Sequence, residues 1–300
     1  MKITPLIVTY NRLGKLQKTL AATLALPFDA VVVIDNHSTD GTREWLKAQS
    51  APHLHCCFSP ENSGGAGGFA RGVAYIAEHL TTDWVVFYDD DAWPDPSFIN
   101  NFSRIATDKY ELYCARVLSA DGRLSPMNVP WSAPQDTFFA AIHYLFNKKA
   151  FIPAPDKASG VCTFSFVGGI VSSRLIRESC GLIEKDFFIY FDDVCYSWRL
   201  FSRGNPILYH PELLMHHDVP SVVSGQPAWK HYYLLRNLLL FRRLLNCPPF
   251  FGRTAIGLRI VHSLLRALKS PQRFYCLRLL VKAVCDGLSH KRPVSGKPGI

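Results

Sequence analysis

The stretch that most constrains this chain is Trp84-Val85-Val86-Phe87-Tyr88, followed at once by Asp89-Asp90-Asp91. Five apolar or aromatic residues in a row have the make-up of a buried strand, and three carboxylates arrive where that strand would end. Packed like charges repel, and burying one without a partner costs several kcal/mol. A cation is therefore expected at this strand end. Carboxylate oxygens suit hard divalent ions such as Mg²⁺ or Mn²⁺, which also bind phosphate. The duller reading of the stretch alone is a solvated acidic turn.

The preceding sequence repeats the same arrangement. Ile3 to Val8 reads as a strand ending in Thr9-Tyr10-Asn11-Arg12, and Leu13, Leu16, Leu20 and Leu24 follow at helical spacing. Ala30 to Ile34 reads as a second strand, stopped by the turn-rich run from Asp35 to Thr42. His53 to Phe58 is a third, followed by a glycine-rich loop, Glu61 to Gly68, and a helix carrying Arg71. Strands alternating with helices imply an α/β fold with a mostly parallel sheet covered on both faces. Ligands of such sheets gather at the carboxyl ends of the strands, where Asn11, Asp35, the glycine loop and Asp89 all lie. The glycine spacing fits neither a P-loop nor a dinucleotide fingerprint.

Further on, Pro94-Asp95-Pro96 opens a helix ending near Thr107, and Pro126, Pro130 and Pro134 punctuate an irregular stretch read as loops over the site. Val161 to Ser172 reads as a strand interrupted by Gly168-Gly169. Phe187 to Phe191 is a second apolar run ending in acids, Asp192-Asp193, which a following helix would also favour in its first turn. His216-His217 offers an imidazole to the suspected metal, or is an ordinary surface pair.

The segments VTYNR (8–12), VVVIDNHSTDGT (31–42), ENSGGAGGFARG (61–72), VVFYDDD (85–91), FFIYFDDVCYSWRL (187–200) and LLMHHD (213–218) together resemble family 2 inverting glycosyltransferases with the GT-A (Rossmann-like) fold. Within that family, GGAGGF with the triple Asp is most similar to bacterial galactofuranosyltransferases, with rhamnosyltransferases close by. The segment HYYLLRN (231–237) is also similar to one that follows the catalytic domain in such enzymes. The resemblance implies that Thr9, Asn11, Arg12 and Asp35 hold the nucleoside, and that Asn62, Gly64, Gly65 and Arg71 border the donor. It implies that Asp90 faces the sugar, and that Asp89, Asp91 and His216 bind Mn²⁺ or Mg²⁺, with His217 the alternative ligand. Asp193 would be the catalytic base, beside Asp192. The sequence departs from many relatives at Cys195, where they carry an acid two positions after the base. The implied reaction moves a sugar, galactofuranose from UDP-galactofuranose or else rhamnose from dTDP-rhamnose, onto a glycan or lipid-linked acceptor of the bacterial surface. A nucleotide-sugar or glycan-binding module without catalysis is the reading from another class.

Charge separates the chain into an expected catalytic domain, 1–225, and a basic helical region, 226–300. Residues 228–300 carry 14 Lys/Arg against the single acid Asp286, while residues 1–227 hold 19 basic and 23 acidic residues. A basic tail points to an anionic partner. The acidic body has no nucleic-acid motif, so an anionic membrane surface is the expected partner and nucleic acid is not. In the segment 255–269, Arg259, His262, Arg266 and Lys269 share one helical side, and Leu258, Ile260, Val261, Leu264, Leu265 and Leu268 cover the other, expected to pack in part on the body. Nine cysteines without a CxxC pair fit a reducing compartment. Met1-Lys2-Ile3-Thr4 reads as no signal peptide, and no apolar run reaches 18 residues. The expected location is cytoplasmic, peripheral on the inner face of the membrane.

Overall fold

The computed structural model describes residues 1–221, 227–244 and 246–289. Its first part is β1 (Ile3–Thr9), α1 (Leu13–Leu24), β2 (Val31–Asp35), α2 (Thr42–Lys47), β3 (Leu54–Phe58), α3 (Gly64–His79), β4 (Trp84–Asp89), β5 (Ala92–Pro94), α4 (Phe98–Ile105) and β6 (Leu112–Ser119). There follow α5 (Phe138–Phe146), β7 (Ser159–Val161), β8 (Gly169–Ser172), α6 (Ser173–Glu178), α7 (Asp192–Phe201), β9 (Ile207–His217), α8 (Ala228–Leu244), α9 (Arg253–Lys269) and α10 (Arg273–Ser289). The expected domain boundary at 225/226 lies outside the described residues, as do Lys291 and Arg292 of the basic tail.

Among the described residues, nine strands form one sheet in the order β3-β2-β1-β4-β8-β6-β9-β5, with β7 also on β9. The sheet is mixed, which corrects the mostly parallel expectation. β1 to β4 pair in parallel, as does β6 with β9, but β8 runs against β4 and β6, and β5 and β7 run against β9. The helix-for-strand alternation that requires parallel pairing stops at β4; β5 follows it after a tight turn, and antiparallel pairing needs no crossover helix. The expected strand from Val161 to Ser172 is likewise two short strands. Gly168 between them has φ +92°, and a Cβ on Gly169 would lie 2.5 Å from the Phe164 ring.

Strand alternation divides the core between the two sheet faces. Leu6, Val8, Val32, Ile34, Val85 and Phe87 meet Phe69, Val73 and Ile76 of α3. Ile7, Val31, Val33, Val86 and Tyr88 meet Leu16 and Leu20 of α1 and Phe98 and Phe102 of α4. Helix α3 lies close to β1 because its glycines leave no Cβ; one on Gly68 would sit 2.4 Å from Val8. A third cluster joins Phe187, Cys195 and Trp198 to Tyr232, Leu235, Leu238 and Phe241 of α8 and to Leu279 and Ala283 of α10. The basic helices therefore share a core with the segment that carries Asp192 and Asp193.

Candidate active site

The acidic triplet leaves β4 where β1 also ends. Asp90 and Asp91 form the turn that follows β4, and this turn brings Asp91 beside Asp89. Asp90 is buried and turned back into the chain, accepting hydrogen bonds from Thr9 Oγ1 (2.8 Å), the Tyr10 amide (3.3 Å) and Arg12 Nη1 (3.3 Å). It braces the β1–α1 loop; the resemblance implied that it faces the sugar. Burial pushes Asp90 up to about 6.

Asp91 is held by Arg12 Nη1 at 2.7 Å and Lys15 Nζ at 3.0 Å on Oδ2, and by His217 Nε2 at 3.2 Å on Oδ1. Burial raises its pKa, but the His217 hydrogen bond and the charges of His217 and Arg12 outweigh that and hold it well below the usual carboxylate range. Asp89, half-buried, goes the other way: burial first, then the charge of Asp91, push it up to about 7. A carboxylate so disfavoured in its ionised form is one that an added cation would stabilise.

Ligand atoms of Asp89, Asp91 and His217 lie within 4.8 Å of one another. Two carboxylates and one imidazole make a donor set that fits Mn²⁺, and Mg²⁺ through the oxygens. The expected ligand His216 is not among them. β9 pairs antiparallel with β5, matching His217 to Ala92 and His216 to Trp93, so alternation sends the two rings to opposite sides. His216 pairs with Asp95 at 3.1 Å and stacks on Trp93.

Behind His217 runs a hydrogen-bonded chain that the sequence did not disclose. His217 Nδ1 meets Asn128 Oδ1 at 2.9 Å, Asn128 Nδ2 donates to Ser165 Oγ at 3.0 Å, and Ser165 lies near enough to Asp193 to favour its ionised form. Asn128 lies buried in the proline-punctuated stretch expected to form loops over the site; this part of it lies under the site. Such outer partners fix a ligand's tautomer and orientation. Asn128→Ala is expected to weaken Mn²⁺ binding about 10–100-fold, read by titration with Mn²⁺. Unchanged affinity would remove Asn128 from this role.

Asp192 and Asp193 open α7. Asp193 is half-buried, its Oδ1 accepting from the Val194 amide at 2.7 Å. Burial raises both carboxyls, and in Asp192 the charge of Asp193 adds to it. The residues before them are strained: Phe188, Tyr190 and Phe191 have φ of 64°, 67° and 65°, a conformation costing of order 1–3 kcal/mol each outside glycine. Cys195 is fully buried in the apolar cluster, its thiol pushed up to about 12 by burial, and so does not face an acceptor.

The remaining expected donor residues fall into two groups. Asn36, missed as an individual residue within its motif, ties the loops together. Its amide nitrogen accepts nothing and donates to Asn62 Oδ1 (3.0 Å) and Gly64 O (2.9 Å), while its backbone amide donates to Thr9 O (2.9 Å). Asn62 Oδ1 also receives the Gly64 amide, and Gly65 is open, a Cβ there meeting nothing within 4 Å. Asn11, exposed, receives the Thr39 amide at 2.7 Å. Asp35 is fully buried and committed to Arg43 Nε (2.9 Å) and the Ser38 amide (3.0 Å), so it shapes the β2–α2 loop. Arg71 does not join the cluster: it is exposed on α3, with its charge acting on Cys57 of β3. Lys230 at the start of α8 lies near enough to Arg12 and Asp91 to respond to both charges, although burial is what mainly lowers its pKa.

The sequence profile of Glycosyl transferase family 2 matches residues 5–167, more than half of the chain. Low-salt glycan biosynthesis hexosyltransferase Agl10 of Haloferax volcanii is 26% identical over 172 residues, 56% of this chain and 52% of its own, so the chain spans about half the length of that relative. Galactofuranosyltransferase GlfT1 of Mycolicibacterium smegmatis is 34% identical over 213 residues, 68% of this chain and 67% of its own. dTDP-rhamnosyl transferase RfbF of Shigella flexneri is 21% identical over 295 residues, 95% of each chain. In structure, S. aureus TarS 1–349 superposes with a TM-score of 0.57 at 14% identity, covering 97% of this chain and 83% of TarS. GalNAc-T7 with UDP, GalNAc and Mn²⁺ gives 0.60 at 10% identity, covering 98% and 58%. These likenesses establish the GT-A fold, and with the profile match they make the chain a glycosyltransferase belonging to family 2.

Proposed function

We propose that the chain transfers galactofuranose from UDP-galactofuranose to a hydroxyl of a lipid-linked or polysaccharide acceptor in cell-surface glycan synthesis. The observation that carries the reaction type is the donor set of Asp89, Asp91 and His217, linked through Asn128 to Ser165 in the neighbourhood of Asp193. Asp89, Asp91 and His217 would hold Mn²⁺ or Mg²⁺, which when bound supplies Lewis-acid stabilisation of a diphosphate leaving group. Arg12, Lys15 and Lys230 add positive charge beside it. Asp193 takes the proton from the acceptor hydroxyl as that oxygen attacks the anomeric carbon, and the bond to the diphosphate breaks in the same displacement. One displacement inverts the anomeric centre and needs one base.

The choice of galactofuranose rests on the 34% identical relative that bears that name, and rhamnose is the second reading because the rhamnosyl relative spans 95% of both chains. Assaying transfer from UDP-galactofuranose, UDP-galactopyranose and dTDP-rhamnose decides between them. UDP-galactofuranose is expected to be the productive donor, and turnover with dTDP-rhamnose alone would reverse the assignment.

We place the enzyme at the cytoplasmic face of the membrane, by a route that differs from the sequence expectation. Arg259 of α9 is drawn inward over Phe251, donating to Gln135, while Val261, Leu264, Leu265 and Leu268 are exposed. Phe138, Phe139 and Phe146 of the neighbouring α5 and Phe274 of α10 are exposed as well. His262, Arg266, Lys269 and Arg273 stand among them. An apolar surface with basic residues suits the interface of an anionic bilayer, where each Lys or Arg is worth about 1 kcal/mol. Among the described residues no helix is long and apolar enough to cross a membrane. The wild type is expected to co-sediment with anionic vesicles, and Phe139→Ser with Phe146→Ser to lose much of that binding. A wild type left in the supernatant would refute the placement.

A further inference from the structure

Residues 186–191 connect a short helical turn to α7 through three non-glycine residues with positive φ. Phe188, with φ 64° and ψ −61°, forms a strained three-residue turn closed by the Ile189 amide on Phe187 O at 2.7 Å. Such backbone persists only where its surroundings over-determine it. Here they do so from two sides. On one, Phe188 O accepts the Ala66 amide of α3 at 3.1 Å, and Gly64 leaves the space: a Cβ there would lie 2.1 Å from the same oxygen. On the other stands α8. The fully buried Asn237 directs its amide nitrogen at Phe187 O (2.8 Å), Ile189 O (2.6 Å) and Tyr190 O (3.0 Å). Arg236 Nη1 fixes that amide by donating to Asn237 Oδ1 at 2.8 Å and reaches Asp186 O at 2.7 Å. Phe188 stacks on Tyr233, and Phe187 on Phe241.

We propose that Asn237 is a positioning residue for the catalytic base: it gathers three carbonyls of the strained segment and so sets the start of α7, and with it Asp193, against the acceptor side of the site. The proposal rests on the reading of Asp193 as the base. It makes α8, which lies beyond the part of the chain matched by the family profile, a component of the active site. Asn237 touches no reacting atom; it acts through the backbone of 187–190. The glycine loop and α8 thereby grip one segment from opposite sides.

The test compares the full-length wild type with Asn237→Ala and with Asn237→Asp, which keeps the side-chain volume but replaces the donor by an acceptor facing three carbonyls. Hydrogen exchange of peptides covering 186–194 is expected to speed up at least about tenfold in both variants, with the sheet unchanged. Transfer should lose about 10²-fold in kcat, as expected for a displaced catalytic group, while UDP affinity and donor KM stay near wild type. A residue that only supports packing would lower the melting temperature without this split. If either replacement unfolds the chain, Asn237→Ser, which retains a hydroxyl donor, is read in the same way. Exchange at 186–194 equal to wild type overturns the proposal, as does an unchanged kcat or a loss of UDP binding in parallel with kcat. A wild type that transfers no sugar from any nucleotide-sugar refutes the proposed function instead, and the exchange data still decide whether Asn237 holds the segment.

Discussion

Asp193→Asn is expected to lower kcat about 10²–10⁴-fold, the range associated with removal of a general base, while the enzyme still binds its nucleotide. The substitution preserves shape. Oδ1 can still accept the Val194 amide at its present 2.7 Å, so the start of α7 has no reason to move. What is lost is a site for the acceptor's proton. The same residue sets the pH dependence. Burial favours the neutral form of Asp193, so its pKa lies above the ordinary 3.8 of an aspartate. The base works ionised; as pH falls through this raised pKa the working fraction declines, and kcat with it. The acid limb of the wild-type profile should therefore lie above that of a free carboxylate and be missing from the residual activity of Asp193→Asn. Full turnover in the variant, or an acid limb identical in both proteins, would assign the base elsewhere.

Local pattern was enough to place β1 to β4, because β2 and β4 are buried and written as apolar runs with a turn at each end, and the half-buried edge strand β3 lies between two such turns. Asp89 and Asp91 were legible for a related reason: carboxylates directly after such a run have few ways to be satisfied. Pairing between distant segments was not legible. Nothing in Ala92-Trp93-Pro94 announces a strand that runs against β9, yet that register alone selects His217 over His216. Asn128 and Ser165 lie in segments without periodicity, and only the folded chain brings them between His217 and Asp193. Arg71 shows the opposite failure. Its place on a helix that starts at the glycine loop suggested proximity, but two turns of helix carry it away to an exposed position. The apolar run before Asp192 has a strand's composition, but its carbonyls are taken by α3 and α8 instead of a neighbouring strand.

His217→Ala should weaken Mn²⁺ binding by at least about 10²-fold, more than loss of an outer-shell partner would, whereas His216→Ala should leave it near wild type. The two residues are neighbours of the same type, so the comparison isolates which side of β9 each faces. His217 is buried, with Nε2 at 3.2 Å from Asp91 and Nδ1 on Asn128. With Nδ1–H donated to Asn128, Nε2 would be the nitrogen that holds a metal. Removing the ring leaves Asp89 and Asp91 with oxygens alone, a set that still suits Mg²⁺ but no longer offers Mn²⁺ its nitrogen. Among the described residues His216 meets the partly exposed Asp95 and the face of Trp93, so its loss costs a surface contact. EDTA should abolish transfer by the wild type and added Mn²⁺ restore it. In His217→Ala restoration should require far more Mn²⁺, and in His216→Ala the wild-type amount should suffice. Calorimetric titration with Mn²⁺ reads the same order without turnover. Equal losses in the two variants, or full transfer by the wild type in chelator, would remove His217 and the carboxylates from metal binding and leave Arg12 and Lys15 as the groups that neutralise Asp91 during catalysis.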